Sequence, residues 1–161
     1  MTLLHSRLLE LLDYNPEEGG FYWRTTKGSK AVKGSKAGTR SPSGYFQIGV
    51  DGKVYLRARM VWFYVHGRWP EHQIDHKNLI IHDDRLSNLR EATQSQNNAN
   101  KGNERSLPKG VSFDPRSGFY YAKIKKNGKS KFLGCFKCPT RAHEAYCNEA
   151  TKQFGEFARF A

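Results

Sequence analysis

The 161 residues suffice for one domain of average size or two small ones and exclude a large multidomain enzyme. Twenty-seven Lys and Arg against fifteen Asp and Glu leave a formal net charge of +12, and an isoelectric point near 9.8 points to a polyanionic partner, nucleic acid first. Ten Phe, eight Tyr and three Trp argue against disorder, no run approaches the roughly 18 apolar residues of a membrane span, and three clustered cysteines (Cys135, Cys138, Cys147) argue against a disulfide framework, so a soluble, cytoplasmic protein is expected.

In chain order, Leu3, Leu4, Leu8, Leu11 and Leu12 form a helical stripe that predicts a helix over Thr2 to Leu12, stopped by the polar segment Asp13 to Gly20. Phe21 to Arg24 reads as a strand. Thr25 to Ser43 is basic and rich in Gly and Ser, and it predicts a mobile loop. Its Lys30, Lys33, Lys36 and Arg40 suit either a phosphate-contacting arm or a solvated linker. Tyr45 to Val50 and Val54 to Arg57 around Asp51-Gly52 predict a hairpin, because Asp-Gly supplies the positive φ angles of a two-residue turn. Arg59 to His66 follows as a helix with apolar residues on more than one face, ended by Gly67 to Pro70.

Gly102 to Pro108 is the candidate domain boundary. Beyond it Val111 to Phe113, Phe119 to Lys125 and Lys131 to Phe136 predict three strands, with turns at Asp114 to Gly118 and Asn127-Gly128. Tyr120, Ala122 and Ile124 alternate with Tyr121, Lys123 and Lys125, so one face is apolar. From Pro139 onward Ala142, Ala145, Tyr146, Ala150 and Phe154 predict a helix that covers this face.

The charge is uneven along the chain. Residues up to 60 carry ten basic and five acidic side chains (+5), residues 61–100 four and five (−1), and the remainder thirteen and five (+8). A protein that only coats nucleic acid has no reason to hold acidic residues at its centre, whereas phosphodiester hydrolysis uses carboxylates there to hold a metal. An ordinary fluctuation of segment charge reads the same way.

The central segment Ile74 to Lys101 contains Asp75-His76, then eleven residues to Asn88, then eight to Asn97, with Arg85-Leu86-Ser87-Asn88-Leu89 and Gln96-Asn97-Asn98 alongside. This string resembles the HNH nucleases, in particular the phage- and intron-associated, homing-like branch. The resemblance implies a ββα-metal unit around one divalent ion. In that frame His76 is the general base, Asn88 holds its ring through the other nitrogen, and Asp75 and Asn97 ligate the metal. Oxygen-only ligation favours Mg2+ or Mn2+ over zinc. His82 and Asp83-Asp84 are alternative ligands, with Asp83-Asp84 equally readable as a helix cap. Arg85 and Arg90 suit phosphate contacts or salt bridges with Asp84 or Glu91.

Residues 109–157 resemble the ethylene-response-factor, or APETALA-type, DNA-binding domain. The matching pieces are Gly110-Val111, Tyr120 to Ile124, Leu133 to Phe136 and Phe154 to Phe157. The resemblance implies a three-stranded sheet laid in the DNA major groove, offering Tyr121, Lys123, Lys125, Ser130 and Phe132. Lys, Ser and Phe stand where that family carries several Arg and Trp, so phosphate contact is expected rather than guanine reading. Cys135, Cys138, His143 and Cys147 are a candidate zinc set.

The expected whole is an α+β protein in three parts: residues 1–58 as an N-terminal helix and hairpin region with a basic loop, 59–101 as the ββα-metal nuclease unit, and 109–161 as a three-stranded antiparallel sheet packed on one helix that binds DNA. The expected activity is metal-dependent hydrolysis of double-stranded DNA, as a nick or a double-strand break leaving 5′-phosphate ends. The chain is expected to act as a monomer or weak dimer in the cytoplasm, that of the host cell if the gene is a phage's. A non-catalytic DNA-binding regulator is the alternative, and no RNA-recognition motif supports an RNA partner.

Overall fold

The computed structural model of the chain describes residues 3–103 and 106–160. Residue 2 of the expected first helix and residues 104 and 105 of the expected boundary lie outside these. The chain divides into two units, Met1–Glu91 and Ala92–Ala161. The division therefore falls ahead of the segment Gly102 to Pro108. The physical reason is that Ala92 and Ala99 pack into one buried cluster with Ile124, Tyr146, Ala150 and Phe154.

In the first unit, helix α1 (His5–Leu11) is shorter than the leucine stripe, because Leu12 turns to extended backbone and begins strand β1 (Leu12–Asn15). β1 pairs antiparallel with β2 (Gly20–Trp23), Leu12 opposite Trp23 and Asn15 opposite Gly20. The segment expected only to stop the helix is thus half of a hairpin. Leu8, Leu11, Leu12 and Phe21 are essentially inaccessible, and this burial selects the strand over a longer helix.

The basic stretch Thr25 to Ser43 is not loop throughout. Part of it is strand: Lys36–Ala37 form β3, which pairs with β2, and Thr39–Arg40 form β4, which pairs with β5 (Phe46–Val50), while residues 25–35 and 41–43 lie in turns and irregular backbone outside the named strands. Ala37 is buried against the core and anchors the crossing. Gly38 allows it: at φ +100° it passes so close to the Gln47 carbonyl that a Cβ would collide.

The Asp-Gly hairpin forms as expected, joining β5 to β6 (Lys53–Leu56) with Asp51 and Gly52 both at positive φ. Helix α2 (Arg57–His66) follows at once and closes on a left-handed Gly67, whose N–H bonds the Phe63 carbonyl. Its Met60, Val61 and Phe63 are buried beside Ile48 and Val50. Two further strands, β7 (Gln73–His76) and β8 (Leu89–Ala92), pair with each other.

The second unit opens with α3 (Gln94–Asn100), started by a reciprocal cap in which the Thr93 hydroxyl accepts from the Gln96 N–H and the Gln96 side chain accepts from the Thr93 N–H. Lys109 closes the other end, donating from Nζ to the carbonyls of Ala99 and Lys101. Strands β9 (Val111–Asp114), β10 (Phe119–Lys126) and β11 (Lys129–Phe136) form an antiparallel sheet with β10 central. Helix α4 (Pro139–Phe154) lies on it, Ala142 against Val111 and Ala122, and Tyr146 and Ala150 against Ile124. The element bounds lie within two residues of those expected here, because alternation and turn chemistry agree with the tertiary packing. Among the described residues no helix is long and apolar enough to cross a membrane.

Candidate active site

Strand β7 ends in Asp75 and His76, which are 3% and 6% exposed. Neighbours on a strand point to opposite faces, so the two side chains meet different partners. Arg90 on β8 donates from Nε to Asp75 Oδ2 at 2.8 Å. His76 Nε2 lies 2.7 Å from Asp84 Oδ1.

Asp84 comes from the connector between β7 and β8 and is the most buried charged side chain of the site, 1% exposed. Its Oδ2 accepts from Arg57 Nε at 2.7 Å. Arg57, the first residue of α2 and 3% exposed, also donates from Nη2 to the His82 carbonyl at 3.0 Å and stacks its guanidinium 3.9 Å from the centre of the Phe46 ring. From β1, the Tyr14 hydroxyl donates to the Asp84 carbonyl and accepts the Leu86 N–H. Burial raises the Tyr14 hydroxyl above the ordinary phenol range, which keeps it a donor. Gly19, at the end of the β1–β2 turn, passes directly beneath the Asp84–Arg85 peptide.

Asn88 is buried, and its amide is spent on the connector. Oδ1 accepts from the Asn78 N–H at 3.0 Å and Nδ2 donates to the Asp83 carbonyl at 2.8 Å, while its own carbonyl accepts from the Lys77 N–H. Asn78 adds a second clasp, accepting from Ile80 N–H and donating to Asp83 Oδ2. This corrects the expected role of Asn88: Asp84 meets the His76 ring, and Asn88 shapes the loop that carries Asp84. The physical reason is direction: both amide atoms of Asn88 are aimed at backbone groups of the connector, and the His76 ring is met by Asp84 instead.

Asp83 and Asp84, the alternative metal ligands, are otherwise engaged. Arg85 donates from Nε and Nη2 to Asp83 and holds that carboxyl well below the usual carboxylate range. Arg85 and Arg90 both form salt bridges, but with neither Asp84 nor Glu91: Arg85 pairs with Asp83 and Arg90 with Asp75, while Glu91 pairs with Arg68. Among the described residues no group of three His, Cys, Asp or Glu side chains is arranged to hold a metal ion. The donor chemistry of Asp75, a carboxylate, fits a hard divalent cation. Asn97 is half-buried on α3, in the second unit.

Of the expected DNA-contacting residues, Lys30 and Lys33 are exposed, Lys36 is exposed but bound to Glu18 at 3.0 Å, and Arg40 donates to the Gly44 carbonyl. In the second unit Lys123, Lys125 and Phe132 are exposed, with Tyr121 half-buried and its ring 6.0 Å from that of Phe132. Cys135 and Cys138 are exposed thiols, and within the suggested zinc set Cys147 Sγ lies 3.4 Å from His143 Nε2, the His143 Nδ1 facing the Lys109 carbonyl. A carbonyl can only accept, so Nδ1 carries the ring proton and the Cys147 thiol donates to Nε2. Cys138 precedes the first turn of α4, where the Arg141 N–H lowers its thiol below the ordinary range, while burial raises that of Cys147. Iodoacetamide at neutral pH is therefore expected to label Cys138 about tenfold or more faster than Cys147, as read by peptide mass spectrometry.

Arg57 and Tyr14 are the site residues that the sequence reasoning missed, and Asp84, expected as a metal ligand or a helix cap, instead meets the His76 ring and Arg57. A charged residue heading an otherwise apolar helix was the available signal for Arg57.

The site thus holds a buried imidazole bound to one carboxylate, Asp84, with a second, Asp75, on the neighbouring residue and turned to Arg90, in a chain of net charge +12. Residues 55–99 match the HNH endonuclease family. An HNH endonuclease domain in this segment supports a nuclease acting on DNA. No curated protein and no solved structure matches the chain significantly.

Proposed function

We propose that the protein is a divalent-metal-dependent DNA endonuclease in which His76 is the general base and Asp75 and Asn97 hold Mg2+ or Mn2+. The observation that carries this reading is the buried Asp75–His76 pair, its ring bound at 2.7 Å, within the segment that matches the HNH endonucleases. When bound, the metal would neutralise charge on the scissile phosphate and stabilise the departing 3′ oxygen. A neutral imidazole takes the proton of the attacking water near neutral pH. Arg90 holds the Asp75 carboxylate from one side and fixes its orientation. Asn88 keeps the connector closed, so that Asp84 stays against the ring.

DNA is held by the flanking basic surfaces: Lys30, Lys33, Lys36 and Arg40 in the first unit, and Tyr121, Lys123, Lys125 and Phe132 on the sheet of the second, used in the manner of an APETALA-type domain. Lysines at these places make sequence-independent phosphate contacts, so affinity falls steeply with salt. One site per chain cuts one strand per engagement, as a monomer or weak dimer.

The test is incubation of supercoiled plasmid with the protein in Mg2+, Mn2+ or EDTA. Conversion to the open-circular form with either metal and none in EDTA is the expected result. DNA binding without conversion in any metal would overturn the reading in favour of a non-catalytic regulator.

A further inference from the structure

Resting on the nuclease reading, we propose that Asp84 and Arg57 are a positioning pair that fixes the His76 ring as its Nε2–H tautomer, so that Nδ1 is the nitrogen that takes the proton from water. Arg57 has only donors, and its Nε–H points at Asp84 Oδ2. A guanidinium this deeply buried needs a counter-charge, which makes Asp84 a carboxylate and both its oxygens acceptors. Oδ1, 2.7 Å from the ring, then accepts, and Nε2 must carry the hydrogen. In a neutral imidazole the other nitrogen, Nδ1, holds the lone pair.

The pair is held from several sides. Arg57 is pinned by the His82 carbonyl and the Phe46 ring, and the Asp84 backbone by the Tyr14 hydroxyl. A buried ion pair is poor evidence for stability, since apolar residues of the same volume serve as well. Here its free oxygen valence ends on the base. In the reaction the water O–H bond breaks with its proton moving to Nδ1, the water oxygen bonds phosphorus, and the bond from phosphorus to the 3′ oxygen breaks, that oxygen gaining its proton from solvent.

Asparagine at position 84 tests this, because Arg57 dictates which way the amide faces. In Asp84→Asn the amide oxygen must turn to the guanidinium, and the amide NH2 then faces Nε2, which has to accept and so drives the ring proton to Nδ1. The expected result is a fall in kcat of about 100-fold or more with KM for plasmid within a few-fold. Nitrogen-15 ring shifts of the metal-free, DNA-free full chain, with the His76 signal assigned by its loss in His76→Ala, should show Nε2–H in the wild type and Nδ1–H in the variant. Adding Arg57→Met removes the donor that set the amide, so Arg57→Met/Asp84→Asn should return to Nε2–H and regain at least tenfold in kcat over Asp84→Asn.

A wild-type ring protonated on Nδ1 would overturn the proposal. So would wild-type kcat in Asp84→Asn, or a fall in kcat with the tautomer unchanged, which would mark a merely structural role. If the wild type nicks no DNA, the nuclease reading fails separately, and the ring shifts alone decide whether Asp84 and Arg57 set the tautomer. Should Asp84→Asn not fold, the wild-type shifts and the uncharged double variant carry the same decision.

Discussion

His76→Ala is expected to lower metal-dependent nicking by about 100- to 10,000-fold while DNA affinity stays within a few-fold of wild type. A general base acts on the proton of water in the transition state, and an imidazole that is 6% exposed offers DNA almost no surface to bind. The substitution also removes the partner of Asp84 Oδ1. Arg57 still pairs with Oδ2, so the carboxylate keeps its counter-charge, and the cost in stability is that of one buried acceptor, about 1–3 kcal/mol. Single-turnover nicking, a filter-binding isotherm and a thermal melt separate these effects. Parallel loss of nicking and binding in a folded variant would contradict the assignment of His76 as the base.

The parts of the molecule that were legible in its sequence are those where local chemistry and tertiary packing agree. Asp51-Gly52 and Asn127-Gly128 both adopt the positive φ angles that such dipeptides supply, and each closes the expected hairpin. The alternation of Tyr120, Ala122 and Ile124 places Ala122 and Ile124 under α4. Asp75 and His76 were legible as a pair because they stand together in a string long enough to exceed coincidence.

What stayed hidden is set by long-range contacts. Leu12 continues an apolar stripe at helical spacing, and nothing local announces that its backbone will instead pair with Trp23. The basic stretch lacks periodicity of its own, and its order comes from the strands it joins. The Arg57–Asp84 ion pair spans 27 residues and links the start of a helix to a loop whose acidic residues read equally well as caps or metal ligands. Asn88 was legible as a site residue, but its role was not: whether an amide holds a ring or a loop depends on which backbone groups its neighbours leave unpaired.

The same long-range dependence makes a glycine outside the HNH segment one of the most sensitive positions for the site. Gly19 is at φ +65° in the β1–β2 turn, and a Cβ there would meet the Asp84 carbonyl carbon at 2.5 Å and collide with the Arg85 nitrogen. Those are backbone atoms, so no side-chain rotation relieves the clash, and the connector must move away from β1. Gly19→Ala combines left-handed strain of about 1–2 kcal/mol with overpacking of about 1–3 kcal/mol. For a unit of this size that is a fall in melting temperature on the order of 10 °C or more. Nicking should fall further than the folded fraction, since displacing Asp84 releases the His76 ring. Gly34→Ala isolates the strain, because Gly34 is also left-handed at φ +81° but nothing lies within 4 Å of its would-be Cβ. It should lower the melting temperature by only a few degrees and leave kcat unchanged. Equal effects of the two substitutions, by differential scanning fluorimetry and nicking of plasmid at a temperature where both variants are folded, would show that the Gly19 contact does not support the site.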